Sequence, residues 1–287
     1  MEVIAGVALA LLASVLFNGG LVLQALEARR EPPELSLRLA LVLELLRRPR
    51  WLAGLALGIL GVLPQVAALG LAPFVVVQPA LVVGLLLVLA TGDRILGERV
   101  RLHEWAGVVA IIAGVALVAV GSPNHVETHR GGATVVALVT ALTMVALLPF
   151  LVRGRRADTA TLTMIASGVG FAATNIATKL LSDDIGLGHA WNAAAWLCVA
   201  FAVGVAATIT GMTAFQRART TIVVPVTTAV QTFLPVVVEP LFLREHWGSA
   251  DLLGLPLVAG LALACAGTIT VARAPGVGEV VASANRA

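Results

Sequence analysis

Long apolar runs separated by short polar gaps constrain the fold of this chain more than any other feature. The runs cover residues 3–26, 51–72, 73–92, 104–121, 132–152, 159–181, 191–214, 219–241 and 252–272. A helix needs about 20 apolar residues to cross the hydrocarbon core of a membrane. Transmembrane strands are shorter and alternate in polarity, unlike these continuous runs. We therefore expect an all-α polytopic membrane protein with about nine transmembrane helices.

Composition excludes the main alternatives. Of the 287 residues, 59% are hydrophobic and only 12% are charged, whereas an ordinary soluble domain has roughly 25% charged residues. A soluble protein of this length has too little interior to bury so much apolar surface. Both cysteines, Cys198 and Cys265, lie within apolar runs, so no disulfide framework is indicated. A soluble enzyme, a secreted disulfide-rich protein and a disordered chain are all excluded.

The basic residues predict how the chain is oriented. Residues 37–46 are apolar but span only about 15 Å as a helix, so we expect an interfacial helix there rather than a tenth span. With nine spans, 16 of the 19 basic residues fall on one side, and Arg130, Lys179 and Arg244 fall on the other. Because basic loops stay cytoplasmic, we expect a multi-pass protein of the cell inner membrane with its N-terminus outside and its C-terminus in the cytoplasm.

Two stretches of the chain, 73–123 and 221–275, are similar to each other. In each, a glutamate precedes a glycine by nine residues, and a proline stands 19 or 20 residues before that glutamate. The matching positions are Pro79, Glu98 and Gly107 in the first stretch and Pro225, Glu245 and Gly254 in the second. We expect both glutamates to be structural, in helix caps or in pairs with Arg99, Arg101 or Arg244. Chance similarity among helices rich in small residues is the alternative explanation.

The similarity predicts four units along the chain. Residues 1–123 would form a first repeat of four spans, 124–157 a linking fifth span and 158–275 a second repeat, with 276–287 as a disordered cytoplasmic tail. One extra crossing between two four-helix units turns the second unit upside down. Inverted repeats of this kind are typical of secondary transporters, whose substrate site lies near the membrane midplane between the units.

Several short motifs resemble the drug/metabolite transporter (DMT) superfamily with its EamA-like repeats. They are Leu96-Gly97-Glu98, Phe17-Asn18-Gly19-Gly20, Trp51-Leu52-Ala53-Gly54 and Gln78-Pro79. Within the superfamily, the nine-span NIPA-like magnesium-transporter branch is the most similar. The resemblance implies a transporter, and the branch implies Mg²⁺ as its substrate. In the middle of the second span, however, this chain has Gly61-Val62-Leu63-Pro64-Gln65, without the carboxylate found in the magnesium transporters.

Polar residues inside the spans are the candidate substrate-binding residues. The predicted cavity is lined by Asn18, Gln65, Gln78, Asn175, Lys179, Thr227 and Gln231. The helix breakers expected near it are Pro64, Pro79, Pro225 and Pro235. Polar groups within spans are costly and are therefore candidates for function. The same small polar groups also hold helices together, so packing is the alternative role for about half of them.

Two charged residues have two interpretations each. Lys179 could neutralise an anionic solute, or its long stem could extend to the outer interface toward Asp183 and Asp184. Glu239 could carry a coupling proton or cation, or it could be an interfacial residue at the outer end of its helix.

Enzymatic motifs are missing from the sequence. Gly168-Val169-Gly170 lies inside an apolar run without a preceding strand, so it does not indicate a nucleotide site. His125, Glu127 and His129 fall in a short polar loop, where a solvated loop is favoured over a metal site. With no nucleophile–base arrangement and no P-loop, we expect no enzyme activity, no cofactor and no bound metal.

The function that these observations predict is secondary transport of a small organic solute by alternating access. The alternatives are a Mg²⁺ or other cation transporter of the NIPA-like type and a non-transporting membrane anchor or scaffold subunit. We expect the partners to be the solute and the lipid bilayer, with no nucleic acid. Whether the chain forms a homodimer is left open.

Overall fold

The protein is all-α in a computed structural model that describes residues 2–72, 74–98, 100–121, 133–155, 159–242 and 255–273. Within these residues no strand is present. The helices are α1 (Glu2–Ala28), α2 (Leu39–Leu45), α3 (Pro49–Leu71), α4 (Phe74–Val82), α5 (Gly84–Arg94), α6 (Leu102–Gly121), α7 (Ala133–Leu151), α8 (Ala160–Gly186), α9 (Ala190–Arg217), α10 (Thr220–Phe242) and α11 (Leu255–Ala272), with a short 3₁₀ helix at Pro33–Leu35. The all-α prediction is therefore confirmed for the described part.

Seven of the helices in the described part are long and apolar enough to cross a membrane. They are Glu2–Ala28, Pro49–Ala68, Leu102–Val120, Thr134–Leu151, Ala160–Leu181, Ala190–Arg217 and Leu255–Ala272. Two shorter apolar helices, Val76–Gly92 and Thr220–Pro235, coincide with the other two predicted runs. The chain is thus a membrane-embedded helical protein, and the count of nine spans stays a prediction.

Three predictions fall on residues outside the described part. They concern the polar loop with His125, Glu127 and His129, the repeat positions Glu245 and Gly254, and the tail 276–287. The side chain of Glu239 also lies outside the described part, although the backbone there belongs to α10.

The segment predicted as a short interfacial helix is too short to cross a membrane. α2 has seven residues, of which Leu41 and Leu45 are buried in the main apolar cluster. The loop before it packs on the end of α9, since Ser36 Oγ donates to Gln216 Oε1 over 2.8 Å. The segment therefore lies against the bundle and does not form a separate span.

Helix neighbours follow a pattern that recurs in the two halves of the chain. α1 packs against α3, α4 and α5, and α4 also contacts α6. Correspondingly, α8 packs against α9 and α10, and α10 contacts α11. The pairs that cross between the halves include α6 with α11, α5 with α10 and α1 with α9, while α7 packs beside α8 and α9.

Glycines bring the backbones of α6 and α11 into direct contact. A Cβ atom at Gly114 would lie 2.7 Å from the carbonyl oxygen of Gly260, and one at Gly260 would lie 2.7 Å from that of Gly114. Gly107 and Gly267 face each other in the same reciprocal way, at 2.9 and 2.5 Å. Small residues are what allow helices to approach this closely in a membrane, where apolar burial gives little drive for association.

Replacing Gly114 by alanine should destabilise the bundle, because the new methyl group has no space beside Gly260 and Ala264. Overpacking of this kind costs about 1–3 kcal/mol. Thermal unfolding of purified protein in detergent, followed by tryptophan fluorescence, measures the effect. Gly58→Ala is the matched control, since a Cβ there would meet no atom within 4 Å. Equal stability of the two variants would contradict the close contact.

Candidate functional site

The third predicted span is interrupted at its centre. α4 ends at Val82 and α5 begins at Gly84. Ser14 of α1 inserts its hydroxyl group between them: Ser14 Oγ donates to the carbonyl of Leu81, and the Gly84 amide donates to Ser14 Oγ over 2.8 Å. Val83 keeps a helical conformation, with φ −54° and ψ −28°. The hydrogen-bond ladder is therefore interrupted while the path of the chain continues.

Gly84 is required for this arrangement because the two polar side chains of α1 lie directly against it. A Cβ atom at Gly84 would clash with Oγ of Ser14 and Nδ2 of Asn18. The Asn18 amide donates to the carbonyl of Ser14 over 2.8 Å, and both residues are buried, at 1% and 6% exposure. A polar cluster thus lies inside an apolar bundle. A side chain inserted into a helical ladder marks a point of bending.

Of the two polar residues in this cluster, Asn18 was predicted as a site residue from the sequence and Ser14 was not. The available signal was the spacing of four residues between them, which places both on one face of α1. Pro79, one turn before the interruption, lacks an amide hydrogen and so already weakens the ladder there. Together these features indicate the site, but only once α1 is known to pack on α4 and α5.

The corresponding place in the second half is built differently. There the close approach comes from Gly168 of α8, where a Cβ atom would lie 3.0 Å from the carbonyl oxygen of Thr227 and 2.6 Å from Cβ of Val230. Ser167 Oγ donates to the carbonyl of Ala207 over 3.0 Å. The hydroxyl oxygen of Thr227 is buried and, within the described part, has no hydrogen-bond partner. α10 is continuous through this contact, in contrast to α4 and α5.

The other predicted cavity residues differ in exposure. Gln65, Gln78 and Gln231 are half-buried, and their side chains form no hydrogen bond with another residue of the described part. Asn175 is exposed and Lys179 is half-buried, both on α8. Among the predicted helix breakers, Pro225 is buried and Pro64, Pro79 and Pro235 are half-buried. The structure places Asn18 at the interruption. The assignment of Asn18 and of the other residues to a substrate cavity stays a prediction.

Glu98 connects the two halves at the end of the bundle where α1 ends and α10 begins. Its carboxylate accepts hydrogen bonds from the amides of Thr220 and Thr221 at 2.7 and 2.9 Å, and from Thr221 Oγ1 at 2.6 Å. A carboxylate in this position satisfies the free amides of a helix N-terminus and interacts favourably with the helix dipole. The predicted capping role is confirmed. Within the described part, Arg29 forms an ion pair with Glu98, and the expected partner Arg99 lies outside that part.

Arg29 and a second ion pair extend the same network. The Arg29 guanidinium also donates to the carbonyls of Phe215 and Ala218 at 3.2 and 3.1 Å. Beside it, Arg219 pairs with Glu104, a residue with no exposed surface. The Arg219–Glu104 pair joins the α9–α10 corner to α6, and Arg29 and Glu98 each form hydrogen bonds with that corner. The halves are therefore tied together by buried charges at this end.

Comparison with known proteins gives a partial match. A protein of Corynebacterium glutamicum described as uncharacterized is 34% identical over 122 residues. The matched part is 42% of this chain and 42% of that protein, so the chain spans less than half the length of this relative. No family model matches the chain, and no solved structure matches it.

Removing the charge of Glu98 should strongly destabilise the protein. In Glu98→Gln the Arg29 guanidinium loses its counter-charge, and breaking a buried ion pair by removing one partner costs about 3–5 kcal/mol. Glu44→Gln is the matched control, because the Glu44–Arg47 pair is exposed and exposed pairs contribute about 0–1 kcal/mol. Chemical denaturation in mild detergent measures both. A loss for Glu98→Gln as small as that of the control would contradict a stabilising network.

Proposed function

We propose that this chain is a secondary transporter that moves a small organic solute across the cell membrane by alternating access. The observation that carries the proposal is the buried polar interruption at Gly84, where Ser14 replaces backbone partners in the hydrogen-bond ladder. In lipid, a departure from regular helix is tolerated where other side chains satisfy the freed backbone groups. A span with such an interruption can bend there at low cost, which a transport cycle requires.

The arrangement of helices supports inverted repeats of four spans with α7 as the link. The contacts among α1, α3, α4–α5 and α6 are matched by the contacts among α8, α9, α10 and α11. The reciprocal glycine contacts Gly107–Gly267 and Gly114–Gly260 are what a two-fold axis between α6 and α11 would produce. Nine spans, an external N-terminus and a cytoplasmic C-terminus complete this proposal.

In the proposed transport cycle, the ion pairs would hold one end of the helix bundle closed. Arg29–Glu98 and Arg219–Glu104 lie on the side that the basic loops assign to the cytoplasm. Opening that side would separate first-half residues from the α9–α10 corner. It would break the Arg219–Glu104 pair and the hydrogen bonds that Arg29 and Glu98 form with that corner. The state described here is then the one that is closed toward the cytoplasm.

The polar groups near the proposed seam favour a neutral or zwitterionic solute. Asn18, Gln65, Gln78, Thr227 and Gln231 offer uncharged donors and acceptors. Divalent cations such as Mg²⁺ are held by oxygen ligands that usually include carboxylates. In the described part, no group of three or more potential metal ligands is present. This chemistry supports an organic solute over a metal ion.

Uptake into proteoliposomes tests the proposal. Mass spectrometry would measure the uptake of a panel of neutral and zwitterionic solutes, with empty liposomes as the control. Mg²⁺ would be included to test the cation alternative. We expect wild-type protein to accumulate at least one organic solute, and Gln231→Ala and Gly84→Ala to reduce that uptake by about tenfold or more, equivalent to about 1.4 kcal/mol.

Gly19→Ala is the control for Gly84→Ala, because both glycines lie in packed helices but a Cβ at Gly19 meets no atom within 4 Å. Retained thermal stability must be shown for each variant. Uptake of Mg²⁺ alone would replace the proposal by the cation alternative. No uptake of any solute by the wild-type protein would favour a non-transporting membrane subunit.

A further inference from the structure

A separate groove opens between α7, the end of α8 and the first half of α9. Its volume is about 860 Å³, within the roughly 300–1,000 Å³ of sites that hold drug-sized ligands. None of its lining residues in the described part belongs to α1, α4 or α5. The groove is therefore distinct from the interruption at Gly84, and an inference about it does not depend on the proposed transport.

Two helix faces form the walls of the groove. On α7 the lining residues lie between Val136 and Met144 at intervals of three and four, and on α9 they lie between Asn192 and Val203. These intervals place each set on one side of its helix. At 1.5 Å per residue the walls are roughly 12 and 16 Å long, which is the length of a medium alkyl chain.

Polarity changes along the groove. Asp184, His189 and Asn192 lie at the end where α8 turns into α9, whereas the rest of the lining is mostly apolar, with Thr140 and Thr143 as its hydroxyl-bearing residues. The Asp184–His189 turn is held by two contacts: the His189 amide donates to the Asp184 carbonyl over 2.8 Å, and His189 Nδ1 lies 3.1 Å from Asp184 Oδ1. A ligand with one polar end and one apolar end matches this gradient.

The polar lining favours a cationic hydrogen-bond donor. The Asp184 side chain is only 13% exposed, and neither lysine nor arginine occurs among the described lining residues. The described partner of this carboxylate is His189 Nδ1, at 3.1 Å from Asp184 Oδ1. A cation on the ligand would compensate the buried charge further. The hydroxyls of Thr140 and Thr143 already donate to the carbonyls one turn before them, each over 2.7 Å, so toward the groove they present acceptors.

We propose that this groove binds an amphiphile with a primary ammonium head group, whose charge is neutralised by Asp184 and whose alkyl chain lies between α7 and α9. The indole of Trp196, which also lines the groove, provides an aromatic surface beside the cation. Two sources share this chemistry: a soluble alkylamine and the head group of an aminophospholipid such as phosphatidylethanolamine.

Binding of dodecylammonium to the full chain in phosphatidylcholine nanodiscs tests the proposal. Tryptophan fluorescence gives the saturable signal, and empty nanodiscs correct for partitioning into lipid. We expect dodecanol and dodecyltrimethylammonium to bind about tenfold or more weakly, because the first lacks the charge and the second lacks N–H donors. Equal binding of dodecanol and dodecylammonium would overturn the proposal.

Neighbouring alanines give a matched pair of variants. Ala195 lines the groove, whereas Ala194 is exposed and does not line it. We expect Ala195→Phe to fill the groove and to weaken dodecylammonium binding at least about tenfold, and Ala194→Phe to leave it within about twofold. Asp184→Asn should weaken it similarly. If Asp184→Asn does not fold, the comparison of Ala195→Phe with Ala194→Phe still tests the proposal. Unchanged affinity of Ala195→Phe for dodecylammonium would overturn it.

Nanodisc composition distinguishes the two sources. If phosphatidylethanolamine is the natural occupant, its inclusion in the nanodiscs competes with dodecylammonium, and the lipid copurifies with wild-type protein more than with Ala195→Phe. If the occupant is a soluble alkylamine, phosphatidylethanolamine does not compete. Because solute uptake is measured separately, a failure of amine binding leaves the transport proposal standing, and the converse also holds.

Discussion

The structure depends on one constraint: backbone amides and carbonyls inside a hydrocarbon layer must find partners within the protein. Regular helices meet this constraint along most of the described chain. At Gly84 the helical hydrogen-bond ladder is interrupted. The Ser14 hydroxyl accepts a hydrogen bond from the Gly84 amide and donates one to the Leu81 carbonyl. A serine on one helix thereby completes the hydrogen bonding of another. Moving the two helices apart would leave these backbone groups unsatisfied, so their separation and the bending of the third span are coupled.

Close backbone contacts explain why the bundle can be built largely from small and aliphatic residues. Lipid tails are as apolar as leucine, so the association of helices relies on packing and polar contacts. Gly20 and Gly54 bring α1 onto α3, just as Gly114 and Gly260 bring α6 onto α11. The contacts of α1 with α3 lie within one half of the chain, whereas those of α6 with α11 lie between the halves. Rocking of one half against the other would therefore pivot where the backbones are closest.

The apolar runs predicted the helices well, because hydropathy and helix length are local properties of the sequence. Each predicted run is occupied by a helix in the described part, and residues 37–46 contain only the short α2. The partners of Ser14 and Glu98 could not be predicted in the same way. Ser14 bonds to a residue 67 positions away, and Arg29 pairs with Glu98 across 69 positions. Such pairs depend on which helices become neighbours, and the sequence alone does not show this.

The two halves share their pattern of helix contacts but differ in helix continuity, and this difference bears on how the proposed transport cycle would proceed. In the first half, the span that contacts α10 is interrupted at Gly84, whereas α10 continues through its contact with Gly168. The N-terminus of α10 is moreover fixed by Glu98 and Arg29. A motion that opens the ion-paired end would release the N-terminus of α10, while α4 and α5 would absorb part of the change by bending at Gly84. Equivalent positions in the two halves would then move by different amounts, with the larger internal change on the side of Ser14.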